Sequence, residues 1–150
     1  MAQPLVVGYD EDGASLAAKP EALHLAQSVT FQVDWTDIDE ASNVNFGPEF
    51  PDNAIITNVV AEVDTAFTSA ASTATIGLGF TTDAATGIQA SAAVSGAPWS
   101  TTGYKAFTPI DTPATFLTKL TAARQMLFTR GVQALTGGHM TLKVEYFVGA

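Results

Sequence analysis

The densest group of chemically capable side chains is Asp34-Trp35-Thr36-Asp37-Ile38-Asp39-Glu40, with Asn43 and Asn45 close behind. Its carboxylates and amides are the oxygen donors that calcium takes from a flexible loop. The spacing lacks the central glycine and closing glutamate of a calcium loop. The expectation is therefore an acidic, solvated loop, with calcium as the alternative. Paired carboxylates also serve glycoside hydrolysis, but that chemistry needs two opposed groups in a cleft. Only carboxylate abundance points that way, and a hydrolase would have to lose turnover when Asp37 or Asp39 is changed. His24 and His139 are far apart, and neither has a second ligand at metal spacing. There is no Gly-x-Ser-x-Gly elbow, phosphate loop or dinucleotide fingerprint. Gly77-Leu78-Gly79 lacks a third glycine and falls inside a strand-like pattern. With no cysteine, thiol chemistry, disulfides and a zinc ribbon are excluded. The chain reads as a non-enzyme, with no catalytic, cofactor or metal-binding residue to assign.

Two aromatics stand apart. Trp99, in Ala97-Pro98-Trp99-Ser100, and Tyr104 lie in a turn-rich stretch and are expected as exposed contact aromatics. Such rings stack on a sugar or a protein partner. The competing expectation is that they cap one end of the core.

The elements that must position these groups are strands. Met140, Leu142, Val144, Tyr146 and Val148 alternate with His139, Thr141, Lys143, Glu145 and Phe147, a strand with one buried face. Thr136-Gly137-Gly138 just before it reads as a turn. Val29, Phe31, Val33 and Trp35 give an equally clear strand against Ser28, Thr30, Gln32 and Asp34. A long strand is predicted over Ile55 to Phe67, with Ile55, Val59, Ala61 and Val63 on one parity. Thr73 to Phe80 places Ala74, Ile76, Leu78 and Phe80 on one face, and Gly77 and Gly79 on the other. Asp37 to Asn43 reads as a loop, and Asn45-Phe46-Gly47-Pro48 and Pro51-Asp52-Asn53 bracket another. Residues 81–113 are too long for a structureless loop. A helical turn near Ile88 to Val94 and a strand at Tyr104 to Phe107 are expected there. Phe116 to Leu120 and Arg124 to Phe128 read as two further strands. About eight short β segments make a sandwich or jelly roll. The expected organisation is an N-terminal arm or edge segment over 1–27 and one β-sandwich domain over 28–150.

Composition sharpens this. Charged residues are 14% of 150, well below the usual quarter, and Ala, Thr, Ser and Gly take their place. A surface so poor in charge suits a protein held against copies of itself or a partner. A compact acidic β domain is the plainer alternative. Residues 1–64 hold twelve of the fifteen carboxylates and one cation, Lys19, hence −11; residues 65–150 carry three carboxylates and five cations, hence +2. An acidic half repels phosphate, so nucleic acid is not expected as a partner. No apolar run approaches the roughly 20 residues needed to span a bilayer, so no membrane is expected either. The start, Met-Ala-Gln-Pro-Leu-Val-Val-Gly, lacks a basic, long-apolar leader, and synthesis in the cytoplasm is expected.

One resemblance emerges. Ile55-Ile56-Thr57-Asn58-Val59-Val60-Ala61-Glu62-Val63-Asp64-Thr65-Ala66-Phe67, followed by Ala74-Thr75-Ile76-Gly77-Leu78-Gly79, resembles a long strand ending in Thr-Ala-Phe and then a small-residue, glycine-bearing strand. Leu135 to Tyr146 resembles the last strand of the same proteins, glycine followed by apolar alternation and Glu-Tyr. Together these are similar to the head decoration, or cement, proteins of tailed bacteriophages. The resemblance spans about forty residues, and residues 1–50 carry none of it. It implies an all-β, jelly-roll-like antiparallel β-sandwich with an extended N-terminal arm. It also implies a homotrimer bound to the major capsid protein on the outer surface of a phage virion, made in the host cytoplasm and stabilising the shell. No cofactor is implied. Leu5, Val6, Val7 and Tyr9 are then candidates for an inter-subunit arm adding a strand to a neighbour's sheet; the same residues also read as an edge strand of their own domain. The alternative function is a carbohydrate- or receptor-binding sandwich of a phage spike or fibre, with Trp99 and Tyr104 as its contact residues.

Overall fold

The computed structural model describes residues 25–80, 84–109 and 117–149, with residues 84–86 as backbone only. Eight strands and one short helix follow in chain order: β1 (Gln27–Asp34), α1 (Trp35–Ile38), β2 (Asn43–Phe50), β3 (Ala54–Ser69), β4 (Thr75–Phe80), β5 (Ala84–Ala93), β6 (Gly103–Phe107), β7 (Arg124–Gly131) and β8 (Leu135–Val148). They form two four-stranded antiparallel sheets, β1-β8-β3-β6 and β2-β7-β4-β5. All connections except β4–β5 cross from one sheet to the other, which makes the chain an all-β sandwich.

The two strands with the clearest alternation pair with each other. β1 and β8 run in unbroken register from Gln27 opposite Tyr146 to Asp34 opposite His139, so Val29, Phe31 and Val33 meet Val144, Leu142 and Met140. From the facing sheet, Ile76, Leu78, Phe80, Met126 and Phe128 complete the core. Edge-to-face aromatic contacts tie the layers, with ring centres 5.7 Å apart for Phe50–Phe80 and 5.4 Å for Phe50–Tyr146.

Several local expectations need correction, each for a tertiary reason. β3 is one long strand, but bulges at Ile56/Asn58 and Val63/Thr65 shift its parity. Ile56, not Ile55, therefore enters the core with Val59, Ala61 and Val63. Gly137 and Gly138 belong to β8 and not to a turn. Gly138 has φ +133, and a Cβ there would lie 2.3 Å from the Phe67 ring, so the glycine exists to let Phe67 pack on the strand. β2 runs through Gly47-Pro48, where a loop was expected; Gly47 at φ +94 lies under the Phe31 ring. The stretch from Ile88 to Ala93 is strand, because β4 supplies a ladder that Ala and Ser side chains are small enough to join. Residues 117–120 make one isolated bridge, Lys119 to Ile55, while Arg124 opens β7. The strand expected at Tyr104 to Phe107 is β6.

Candidate interaction surfaces

The acidic segment is structural wherever its side chains have described partners. Asp34 caps α1, accepting from the Thr36 backbone N–H at 3.2 Å, and the Asp37 carboxylate accepts from the Asp34 N–H at 2.8 Å. Asp39 pairs with the Arg130 guanidinium at 3.0 Å and accepts from the Leu135 N–H at 2.7 Å. These carboxylates point at backbone donors and a cation, not at a common centre. Among the described residues, no group of three or more His, Asp or Glu side chains is arranged to hold a metal ion. The Arg130–Asp39–Leu135 clasp joins the β1–β2 connection to the β7–β8 turn. Its partners lie more than ninety positions apart, so no local pattern announces it.

Trp99 is not an exposed contact residue. It is 0% exposed, its indole Nε1–H donates to the Ile76 carbonyl at 3.1 Å, and its ring meets Phe67 edge-on at 5.8 Å and Phe107 at 6.0 Å. The turn from Gly96, closed by the Trp99 and Ser100 N–H groups on the Gly96 carbonyl, swings the indole between the sheets. The end-capping expectation therefore describes Trp99. Tyr104 remains outside at 76% exposure. With the indole buried, a two-ring stacking platform does not exist on this face. Leu5, Val6, Val7 and Tyr9 lie outside the described residues.

The outer face of β1-β8-β3-β6 carries the polar chemistry. On β3, Glu62 sits opposite Tyr104 of β6 and Thr141 of β8. The Glu62 carboxylate beside the Tyr104 hydroxyl favours the neutral phenol, and Asp64 adds to it, so the Tyr104 pKa is raised above the ordinary tyrosine value. Asp64 lies 2.9 Å from His139 Nδ1. Lys143 reaches Glu145 at 3.2 Å and Asn58 donates to it at 3.3 Å; the lysine first, then the amide, lowers the Glu145 pKa. Ser28, Thr30 and Gln32 of β1 complete this face without charge.

The outer face of β2-β7-β4-β5 is different. Asn43 and Asn45 of β2, Thr75, Gly77 and Gly79 of β4, and Gln125, Leu127 and Thr129 of β7 line it, together with Ser91 of β5. None of these ionises; Glu49 and Arg124 stand only at its far end, beside a hollow of about 250 Å³ shared with Asn45, Ala123 and Gln125. Because Gly77 has no side chain, Ser91 and Thr129 approach to 3.5 Å across β4.

No family model matches the sequence, and no curated protein does. Solved structures do. A chain from the capsid asymmetric unit of cyanophage Pam1 aligns at TM-score 0.58 and 20% identity, over 83% of this chain and 85% of its own. A chain from the capsid of Ralstonia phage GP4 aligns at 0.56 and 18%, over 87% and 89%. A chain from the acid-stable capsid of Helicobacter pylori bacteriophage KHP30 aligns at 0.48 and 14%, over 84% and 95%. At such identities the likeness is one of fold: the eight-stranded sandwich is shared with chains of the Pam1 and GP4 capsids.

Proposed function

We propose that this chain is a non-enzymatic structural protein of a bacteriophage virion, bound to the major capsid protein on the outside of the shell as a homotrimer that stabilises it. The observation that carries the reading is the sandwich it shares, nearly end to end, with chains of the Pam1 and GP4 capsids. The surfaces fit such a role. Copies of an acidic chain repel one another wherever charges face, and the β2-β7-β4-β5 face meets a neighbour without ionisable groups between its ends. The β1-β8-β3-β6 face turns its carboxylates toward the shell or solvent. Contacts repeated by symmetry supply avidity without one deep site.

The test is co-expression with the major capsid protein of the same phage, followed by sedimentation of shells and their thermal breakage with and without this chain. Bound protein at fixed stoichiometry and a higher breakage temperature are expected. Thr129→Glu, on the uncharged face, should dissociate the purified trimer, whereas Lys143→Glu should leave it intact. A chain that neither co-sediments nor raises the breakage temperature ends this reading.

A further inference from the structure

Four strands end the two sheets, and three of them carry devices that discourage pairing with another chain. β2 contains Gly47-Pro48-Glu49 and loses register between Phe46 and Phe50. β5 shifts register twice along β4. β6 has only five residues, and its Lys105 is drawn aside to Thr101 Oγ1 at 2.8 Å and the Thr102 carbonyl at 3.3 Å. β1 has none of these. Its eight residues pair with β8 without a shift, and it contains no Pro or Gly. Within β1, no residue before Asp34 is charged. Among the described residues, no strand pairs with its other edge.

The flank beside that edge is also incompletely closed. Val29 and Phe31 face the core but stay half-buried, Phe46 of β2 does the same, and Leu25 just ahead of β1 is 59% exposed. A further strand alongside β1 would satisfy its outward backbone groups and cover these side chains.

We propose that the outer edge of β1 receives the Leu5–Tyr9 segment of a neighbouring copy as an added strand. This assignment rests on the trimer of the preceding subsection and names the acceptor for its arm. The segment Leu5-Val6-Val7-Gly8-Tyr9 is uncharged and rich in strand-forming residues, so it meets β1 without electrostatic cost. It belongs to the 24 residues that precede Leu25, at the end of the sandwich where β1 begins. The link from Asp10 to His24 is too long for a hairpin connection of about 2–5 residues. Extended, it reaches about 50 Å, against about 26 Å for β1 itself, enough to cross to an adjacent molecule. Each copy giving its arm to the next makes a head-to-tail contact that closes as a ring of three.

The absence of cysteine makes this directly testable. In full-length Val7→Cys/Gln32→Cys, a short bis-maleimide should yield covalent dimers and trimers on a denaturing gel. Mixed single variants should yield a Val7–Gln32 dimer only when both are present. An internally bridged monomer, or no product beyond that of Val7→Cys alone, overturns the assignment. Val7→Asp should raise the trimer dissociation midpoint about tenfold or more, a loss of about 1.4 kcal/mol, with the circular dichroism of the sandwich unchanged; an unaltered midpoint also overturns it. The two readings fail separately. A single-chain mass in solution removes the trimer, whereas a trimer that binds capsid but never cross-links removes only the β1 edge.

Discussion

The two sheets solve the same packing problem with different residues. In β1-β8-β3-β6, large β-branched and aromatic side chains alternate with polar and charged ones, and the outer face carries the described pairs Asp64–His139 and Lys143–Glu145. In β2-β7-β4-β5, the inner row is as bulky, with Met126, Phe128, Ile76, Leu78 and Phe80, but the outer row is built mostly from Gly, Ser, Thr and Asn, joined by Gln125 and Leu127. A charged outer face keeps its partners at a distance unless they match its pattern. An uncharged face of small groups allows close backbone approach and has little desolvation cost to overcome. The same fold thus presents one surface suited to water and one suited to contact.

The strongest way to break this comparison is to remove what holds the sheets together. Trp99 binds the Ile76 carbonyl of one sheet and packs on Phe67 and Phe107 of the other. Trp99→Ala should cost about 3–5 kcal/mol in denaturant unfolding and loosen both sheets in hydrogen exchange. Protection lost from one sheet alone would mean that the indole serves only that layer.

A smaller effect should separate the sheets. Gly138→Ala sets a Cβ against the Phe67 ring at a positive φ and should cost about 2 kcal/mol or more. In Gly131→Ala, the obstacle is the Thr75 hydroxyl at 2.6 Å, which can rotate away, so its cost should fall below about 1 kcal/mol. Equal melting shifts would remove the distinction between a packed ring and a yielding hydroxyl.

The smallest effect sharpens the picture of the charged face. Raised by Glu62 and Asp64, Tyr104 should complete its phenolate absorbance titration late, and Glu62→Gln should bring it earlier. The sign follows from linkage: any stability tied to the neutral phenol is complete below the ordinary tyrosine pKa and is lost as pH rises through the raised one. An unchanged titration in Glu62→Gln would show that the hydroxyl and carboxylate do not meet in solution.

Much of the fold was legible where the pattern is local. β1, β8 and β4 follow from alternation alone, since a strand with one wet face must repeat every two residues. Bulges defeat that logic, and Ile55 and Ile56 exchanged roles because a bulge is specified by the partner strand. β2 was hidden by Gly47-Pro48, residues that ordinarily stop a strand but here sit at an edge and beneath Phe31. For Trp99 and Tyr104 the sequence left exposure and core capping both open. Tyr104 lies outside and Trp99 caps the core, and the choice was not legible because the burial of Trp99 depends on Phe67, Ile76 and Phe107.

By itself the sequence determined the all-β class and the residues that face inward along β1 and β8. It also determined a low-charge chain whose carboxylates crowd into its first half, because composition and period-two order are properties of neighbours in the chain. Only the tertiary structure decided that the acidic segment closes on its own backbone and on Arg130, that Trp99 is core, and that uncharged side chains from β2, β4, β5 and β7 share one face. Those outcomes depend on contacts between residues tens of positions apart, and such contacts exist only once the sheets have paired and packed.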